Sequence, residues 1–141
     1  MKRSDPILLV EDDRIDVLNV KRGLREIQAT NPLYVVEDGE EALEFLRNAQ
    51  NPKPALILLD LNMPRMNGLE LLQVLKGDPV LKMIPVIILT TSQEEKDRQE
   101  SFRLSVAGYM VKPLDYENFL EILQAIYQYW LLSQSPNEMS S

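Results

Sequence analysis

The 141-residue chain contains no cysteine and no histidine. Without cysteine there is no disulfide, no thiolate metal site and no thiol nucleophile. Without histidine there is no Ser-His-Asp triad, no imidazole metal ligand and no phosphohistidine, so any histidine chemistry must come from a partner. Positive charge is also scarce: 15 Lys and Arg stand against 22 Asp and Glu, a net charge of -7, and no basic run interrupts the balance. Nucleic-acid binding needs clustered cations to displace counterions, so no nucleic-acid partner is expected. The N-terminal "MKRSDPILLVEDD" lacks the long apolar core of a signal peptide, and no stretch is long and apolar enough for a membrane span. The expected location is cytoplasmic.

What is present is an ordinary globular composition, 45% hydrophobic and 26% charged. The length fits one domain with a sizeable core and leaves no room for a second. That domain is expected over residues 1–134, with "SPNEMSS", 135–141, as a flexible tail. Apolar runs at 6–11, 33–38, 55–60, 85–91 and 108–113 read as strands. Amphipathic segments at 14–28, 39–50, 67–76, 93–105 and 115–132 read as helices. This alternation implies an α/β protein with a parallel five-stranded sheet between two layers of helices. Asp38-Gly39 and Asn67-Gly68 open the second and third helices, and Ser92 with Glu95 three residues on has the spacing of a capping box. The stretch "GDPVLKMIP", 77–85, reads as a loop or a frayed turn.

Ligands of an open parallel sheet bind beyond the carboxyl ends of its strands. At those ends stand Glu11-Asp12-Asp13, Asp60, Thr90-Thr91 and Lys112-Pro113. The run "ALILLD" is apolar enough to be buried on both faces, so Asp60 is the first charge at the rim of the sheet's centre. Two carboxylates about 4 Å apart repel by roughly 4 kcal/mol at an effective dielectric near 20, which a bound cation resolves. Oxygen donors without His or Cys select Mg²⁺ or Mn²⁺. A carboxylate flanked by such an ion, a lysine and a threonine hydroxyl is equipped for phosphoryl transfer, with Asp60 as the nucleophile.

The motifs "LLVEDD", "LILLDLNMPRMNG", "VIILTTS" and "GYMVKP" resemble, in order and over nearly the whole chain, those of the receiver domain of two-component response regulators. The resemblance implies a flavodoxin-like (βα)5 three-layer sandwich of strand order 2-1-3-4-5. It also implies that Asp60 accepts a phosphoryl group from the phosphohistidine of a sensor kinase. Glu11 and Asp12 would form the acidic pair, with Asp12 a direct Mg²⁺ ligand and Asn62 contributing its backbone carbonyl. Thr90 would bond the phosphoryl group, Lys112 would pair with it across a Lys112-Pro113 bond that is often cis in the family, and Tyr109 would be the switch aromatic. The third acid leaves the register open. Alignment on "LLV" assigns Asp13 to the cap of the first helix, with a metal role as the alternative. The segment "LDLNMPRMNGLELLQVLKGDPVLKMIPVIILTTS" and the ending "YQYWLL" resemble the stand-alone regulators that serve cyanobacterial and bacterial phytochromes. Such proteins signal through their surface and are not turnover enzymes.

Two rival readings compete with this one. A haloacid-dehalogenase-like phosphatase shares the Asp nucleophile, Mg²⁺, Thr and Lys, but needs a second Asp where this chain has Asn62, and a cap domain besides. A receiver-like binding module that has lost phosphorylation is the other. In the last helix Phe119, Ile122, Leu123, Ile126 and Trp130 make one core stripe, which Leu120, Tyr127, Leu131 and Leu132 widen beyond a single face. A homodimer through Tyr127, Trp130 and Leu131 is the expectation.

Overall fold

A computed structural model describes residues 1–133, so the tail expected at 135–141 lies outside the described residues. Five strands form one parallel sheet of order β2-β1-β3-β4-β5. They are β1 Ile7–Val10, β2 Leu33–Val36, β3 Leu56–Leu59, β4 Val86–Thr90 and β5 Gly108–Val111. The helices between and after them are α1 Arg14–Glu26, α2 Gly39–Arg47, α3 Gly68–Gly77, α4 Glu95–Arg103 and α5 Tyr116–Leu132. No described helix is long and apolar enough to cross a membrane.

Alternate residues of the strands feed two separate cores, as the period of two requires. Leu8, Val10, Ile57, Leu59, Val86 and Ile88 face one side, where α2 and α3 contribute Leu43, Leu71, Leu72 and Leu75. Ile7, Leu9, Leu56, Leu58, Ile87 and Leu89 face the other, against Val20 and Leu24 of α1 and Phe119, Leu123 and Ile126 of α5. Every residue of β1 and β3 is buried, which is why their apolar runs are unbroken.

Several local expectations are corrected. Helix α1 stops at Glu26 because Gln28 takes a left-handed φ of 62°, and α2 stops at Arg47 rather than 50, with Asn48 extended. The stretch 77–85 does hold a turn as one of its two readings had it, the 3₁₀ segment Leu81–Met83, started by Asp78, whose carboxylate accepts from Val80 and Leu81 N–H. Ser92 does not cap α4. The cap position is Glu94, which makes no side-chain capping bond, while the Ser92 hydroxyl donates to Asp97 Oδ2 at 2.6 Å. The Lys112-Pro113 bond is trans. Tyr127, expected at a dimer surface, is a core residue with only 5% exposure. Its hydroxyl donates to Asn31 Oδ1 at 2.7 Å, and the Asn31 amide in turn donates to the carbonyls of Lys2 and Asp5. The helical spacing made Tyr127 look surplus, but the buried Asn31 gives its polar tip a partner inside.

Candidate functional site

A parallel sheet delivers all its strand ends to one rim, and here the backbone fixes three of the polar residues there. Glu11 N–H donates to Val36 carbonyl at 2.9 Å, Asp60 N–H to Val10 carbonyl at 3.0 Å, and Lys112 N–H to Thr90 carbonyl at 2.7 Å. Each bond extends the ladder one residue past the strand, so the side chains that follow inherit the sheet's rigidity. Glu11 and Asp60 are 2% and 6% exposed, Thr90 is fully buried, and Asp12 is open to solvent. Carboxylate oxygens of Glu11, Asp12 and Asp60 all lie within 4.8 Å of one another. They line a cleft of about 590 Å³ with Asp16, Asn62, Thr91 and Lys112.

The charges in this cleft are unevenly shared. Lys112 Nζ pairs with Glu11 and donates to Asp16 Oδ2 at 2.8 Å, yet stands 4.0 Å from Asp60 Oδ1, beyond hydrogen-bond reach. Burial alone would lower the lysine's pKa, but its bonds to Asp16 and Glu11 and the nearby Asp60 charge outweigh that and raise it. Glu11 is pushed up to about 7, first by burial and then by the Asp60 charge, against the opposing pull of Lys112. Asp60 Oδ1 is buried with no hydrogen-bond partner. An orphaned buried acceptor costs about 1–3 kcal/mol, more when charged. An orphan oxygen beside two further carboxylates, with no nitrogen or sulfur donor, fits a hard divalent cation such as Mg²⁺ or Mn²⁺.

Asp13 takes the other role open to it. Its carboxylate accepts from Ile15 and Asp16 N–H at 2.9 and 3.1 Å, capping α1, and it stands outside the three-acid group. Its own N–H donates to Glu11 Oε2 at 3.1 Å, which helps turn that carboxylate. Thr90 and Tyr109 are joined through one residue: Ser92 N–H donates to Thr90 Oγ1 at 3.3 Å, and the Tyr109 hydroxyl donates to Ser92 carbonyl at 3.0 Å. Trp130 and Leu131 are half-buried against the α1–α5 core, whereas Tyr129 and Leu132 are 64% and 86% exposed.

Thr91, already named beside Thr90 at the rim, lines the cleft, whereas Asp16 carries no such signal in the sequence. Asp16 sits in the first turn of α1, where an acid is ordinarily explained by the helix dipole. Only its spacing from Glu11, which returns it to the same rim one helical turn on, could have signalled a contact with Lys112.

A family model described as the response regulator receiver domain matches residues 7–124. Response regulator Rcp1 of Synechocystis sp. (strain ATCC 27184 / PCC 6803 / Kazusa) is 39% identical over 129 residues, covering 89% of this chain and 88% of that protein. The phosphorylated cyanobacterial phytochrome response regulator RcpA superposes with a TM-score of 0.90 at 36% identity, covering 94% of this chain and 99% of that one. The Mn²⁺-bound form of Rcp1 does so with a TM-score of 0.87 at 37% identity, covering 94% and 99%.

Proposed function

Since the chain belongs to the response regulator receiver family, we propose that it is a phospho-accepting switch of a two-component relay, with Asp60 as the acceptor. The observation that carries this reading is the unpartnered Asp60 Oδ1, buried at the rim with Glu11, Asp12 and Lys112 around it. An Asp60 oxygen attacks the phosphorus of a partner's phosphohistidine, the P–N bond breaks, and its electron pair leaves with the imidazole. The product is an acyl phosphate on Asp60. Glu11, Asp12, Asp60 and the Asn62 carbonyl would hold Mg²⁺ or Mn²⁺, which when bound neutralises the charge that gathers on the phosphoryl oxygens.

Lys112 must turn part of its hydrogen bonding from Asp16 toward the new phosphoryl group, a short movement given its 4.0 Å distance from Asp60. The Thr90 hydroxyl, drawn to the same group, would release Ser92 N–H, and Ser92 carries the change to Tyr109 and to Asp97 of α4. Phosphorylation therefore shifts a balance between two surface states. The same side chains also speed loss of the phosphate, which makes the chain a switch rather than a turnover enzyme on a free metabolite. The phytochrome association of RcpA supports a phytochrome-type sensor histidine kinase as the partner, and the net charge of -7 speaks against a nucleic-acid partner.

The test is beryllofluoride, which imitates an acyl phosphate. With Mg²⁺ it should bind the wild type tightly enough for calorimetry and fail to bind Asp60→Asn. Absence of binding to the wild type would leave a binding module without phosphorylation as the better account.

A pH dependence follows from Glu11. Its folded pKa, about 7, lies above the ordinary 4.5, so between those values the folded state holds a proton that the unfolded state has lost. Stability of the metal-free chain should fall as pH rises through that window. Asp38, Asp78 and Glu100 are shifted downward, so their contributions change below it. Glu11→Gln should flatten the slope in urea titrations, and Mg²⁺ affinity should rise with pH as Glu11 ionises.

Exposed Tyr129 and Leu132 next to Trp130 and Leu131 support a homodimer through the end of α5, with Tyr127 excluded from it. Light scattering that shows a monomer at high micromolar concentration would sink this part.

A further inference from the structure

Between Asp60 and the start of α3 the chain runs through a loop, 61–67, whose residues point in different directions. Leu61 and Met63 are buried in the α2–α3 core, Asn62 lines the cleft, and Arg65 reaches away from it. Arg65 has a φ of 59°, a left-handed bend in a residue other than glycine, which costs roughly 1–2 kcal/mol. Something must hold that bend. Arg65 Nε donates to Asp38 Oδ2 at 2.6 Å, and Nη2 reaches the same oxygen and comes within 3.5 Å of Glu41 Oε2. Asp38 is 1% exposed and caps α2, accepting from Glu41 N–H at 3.0 Å. Beside it Gly39 N–H donates to Met66 carbonyl at 3.0 Å, so the loop is fastened to the start of α2 at two adjacent points.

Two nitrogens of one guanidinium donating to a single oxygen of a buried carboxylate make charge-assisted hydrogen bonds, which are stronger than neutral ones. It acts three residues from Asn62 and five from Asp60. We propose that the Arg65–Asp38 pair is a positioning clasp for the divalent-ion site. By fixing the bend at Arg65 it sets where the Asn62 backbone carbonyl lies relative to Asp60, and so sets metal affinity. Neither residue touches the ion. The inference rests on the metal-binding role given above to Asp60 and the Asn62 carbonyl. It adds residues that no strand-end pattern would select, since Arg65 lies in a loop and Asp38 follows an edge strand.

Mn²⁺ alone is the probe, titrated by electron paramagnetic resonance, with thermal melting followed in parallel. Arg65→Gly eases the left-handed bend but removes the clasp. Asp38→Asn removes the charge but keeps a good helix cap. Each should weaken Mn²⁺ binding about tenfold, as partners one layer out from a metal commonly do. The double variant should bind no more weakly than either single one, and Arg65→Lys should recover part of the loss. A clasp that only stabilises the fold would lower the melting temperature of Arg65→Gly and Asp38→Asn while leaving their Mn²⁺ affinity at the wild-type value, and that result would overturn the proposal. Failure of the wild type itself to bind Mn²⁺ at millimolar concentration would overturn the metal reading along with it.

Discussion

Helix α3, which follows β3 and Asp60 just beyond it, and helix α4, which follows the strand that ends at Thr90, leave the same rim of the sheet. They are anchored very differently. Helix α3 opens with a reciprocal capping box, Asn67 with Glu70, and buries Gly68, Leu71, Leu72 and Leu75. Helix α4 has no side-chain cap, buries only Ser101 along its length, and leaves Phe102 52% exposed. An element with few buried apolar contacts opens at low free-energy cost. The helix beside Asp60 is therefore held in place, while the helix beside Thr90 is the cheaper one to move, as the proposed switch would require. The Ser92 links to Thr90, Tyr109 and Asp97 end on the loosely held helix.

This contrast can be broken most forcefully in the core. Leu72→Ala should cost about 3–4 kcal/mol in urea denaturation. Phe102→Ala, in the exposed part of α4, should stay within about 0.5 kcal/mol. Equal costs would mean that α4 is anchored as firmly as α3. Gly68 comes next. A Cβ there would lie 2.5 Å from the Asp60 carbonyl oxygen and 2.7 Å from Leu61 Cα, both backbone atoms beside the acceptor. Gly68→Ala should cost about 2–3 kcal/mol and impair beryllofluoride binding as well. Gly77, at the other end of the same helix with nothing within 4 Å of a Cβ, should accept alanine with a gain of up to about 0.5–1 kcal/mol.

The finest distinction lies in the caps. Asn67→Ala removes the capping box and should cost about 1 kcal/mol of stability with little change in how the domain answers beryllofluoride. Ser92→Ala should cost less, because its hydroxyl serves an exposed turn. It should nonetheless reduce the exchange protection gained or lost in α4 on beryllofluoride binding. If Ser92→Ala leaves that hydrogen-exchange response intact, the link through Asp97 is not the route by which α4 senses the site.

How far the sequence announced all this depends on the kind of signal each residue carries. The sheet was legible because β1, β3 and β4 are buried on both faces and read as uninterrupted apolar runs. Asp60 and Thr90 were legible because a charge or hydroxyl at the end of such a run has only one place to go, and Lys112 because it closes the half-buried β5 just before Pro113. Asp16 was not, because its partner Lys112 lies 96 residues away, and an acid in a first helical turn has an adequate local explanation. Tyr127 was misread for the same reason in reverse: its partner, Asn31, is distant in sequence and buried, so the helix pattern alone made the ring look surplus. The Ser92 spacing suggested a capping box, yet its hydroxyl donates to Asp97 and accepts from the N–H of Glu94, the cap residue itself, rather than from an N–H inside α4.

The acceptor assignment is tested most directly by transfer of radiolabelled phosphoryl from an autophosphorylated phytochrome-type histidine kinase, with Mg²⁺, to the wild type and to Asp60→Asn. The account predicts label on the wild type, dependent on the divalent ion, and none on the variant. Label retained by Asp60→Asn at the wild-type level would contradict it.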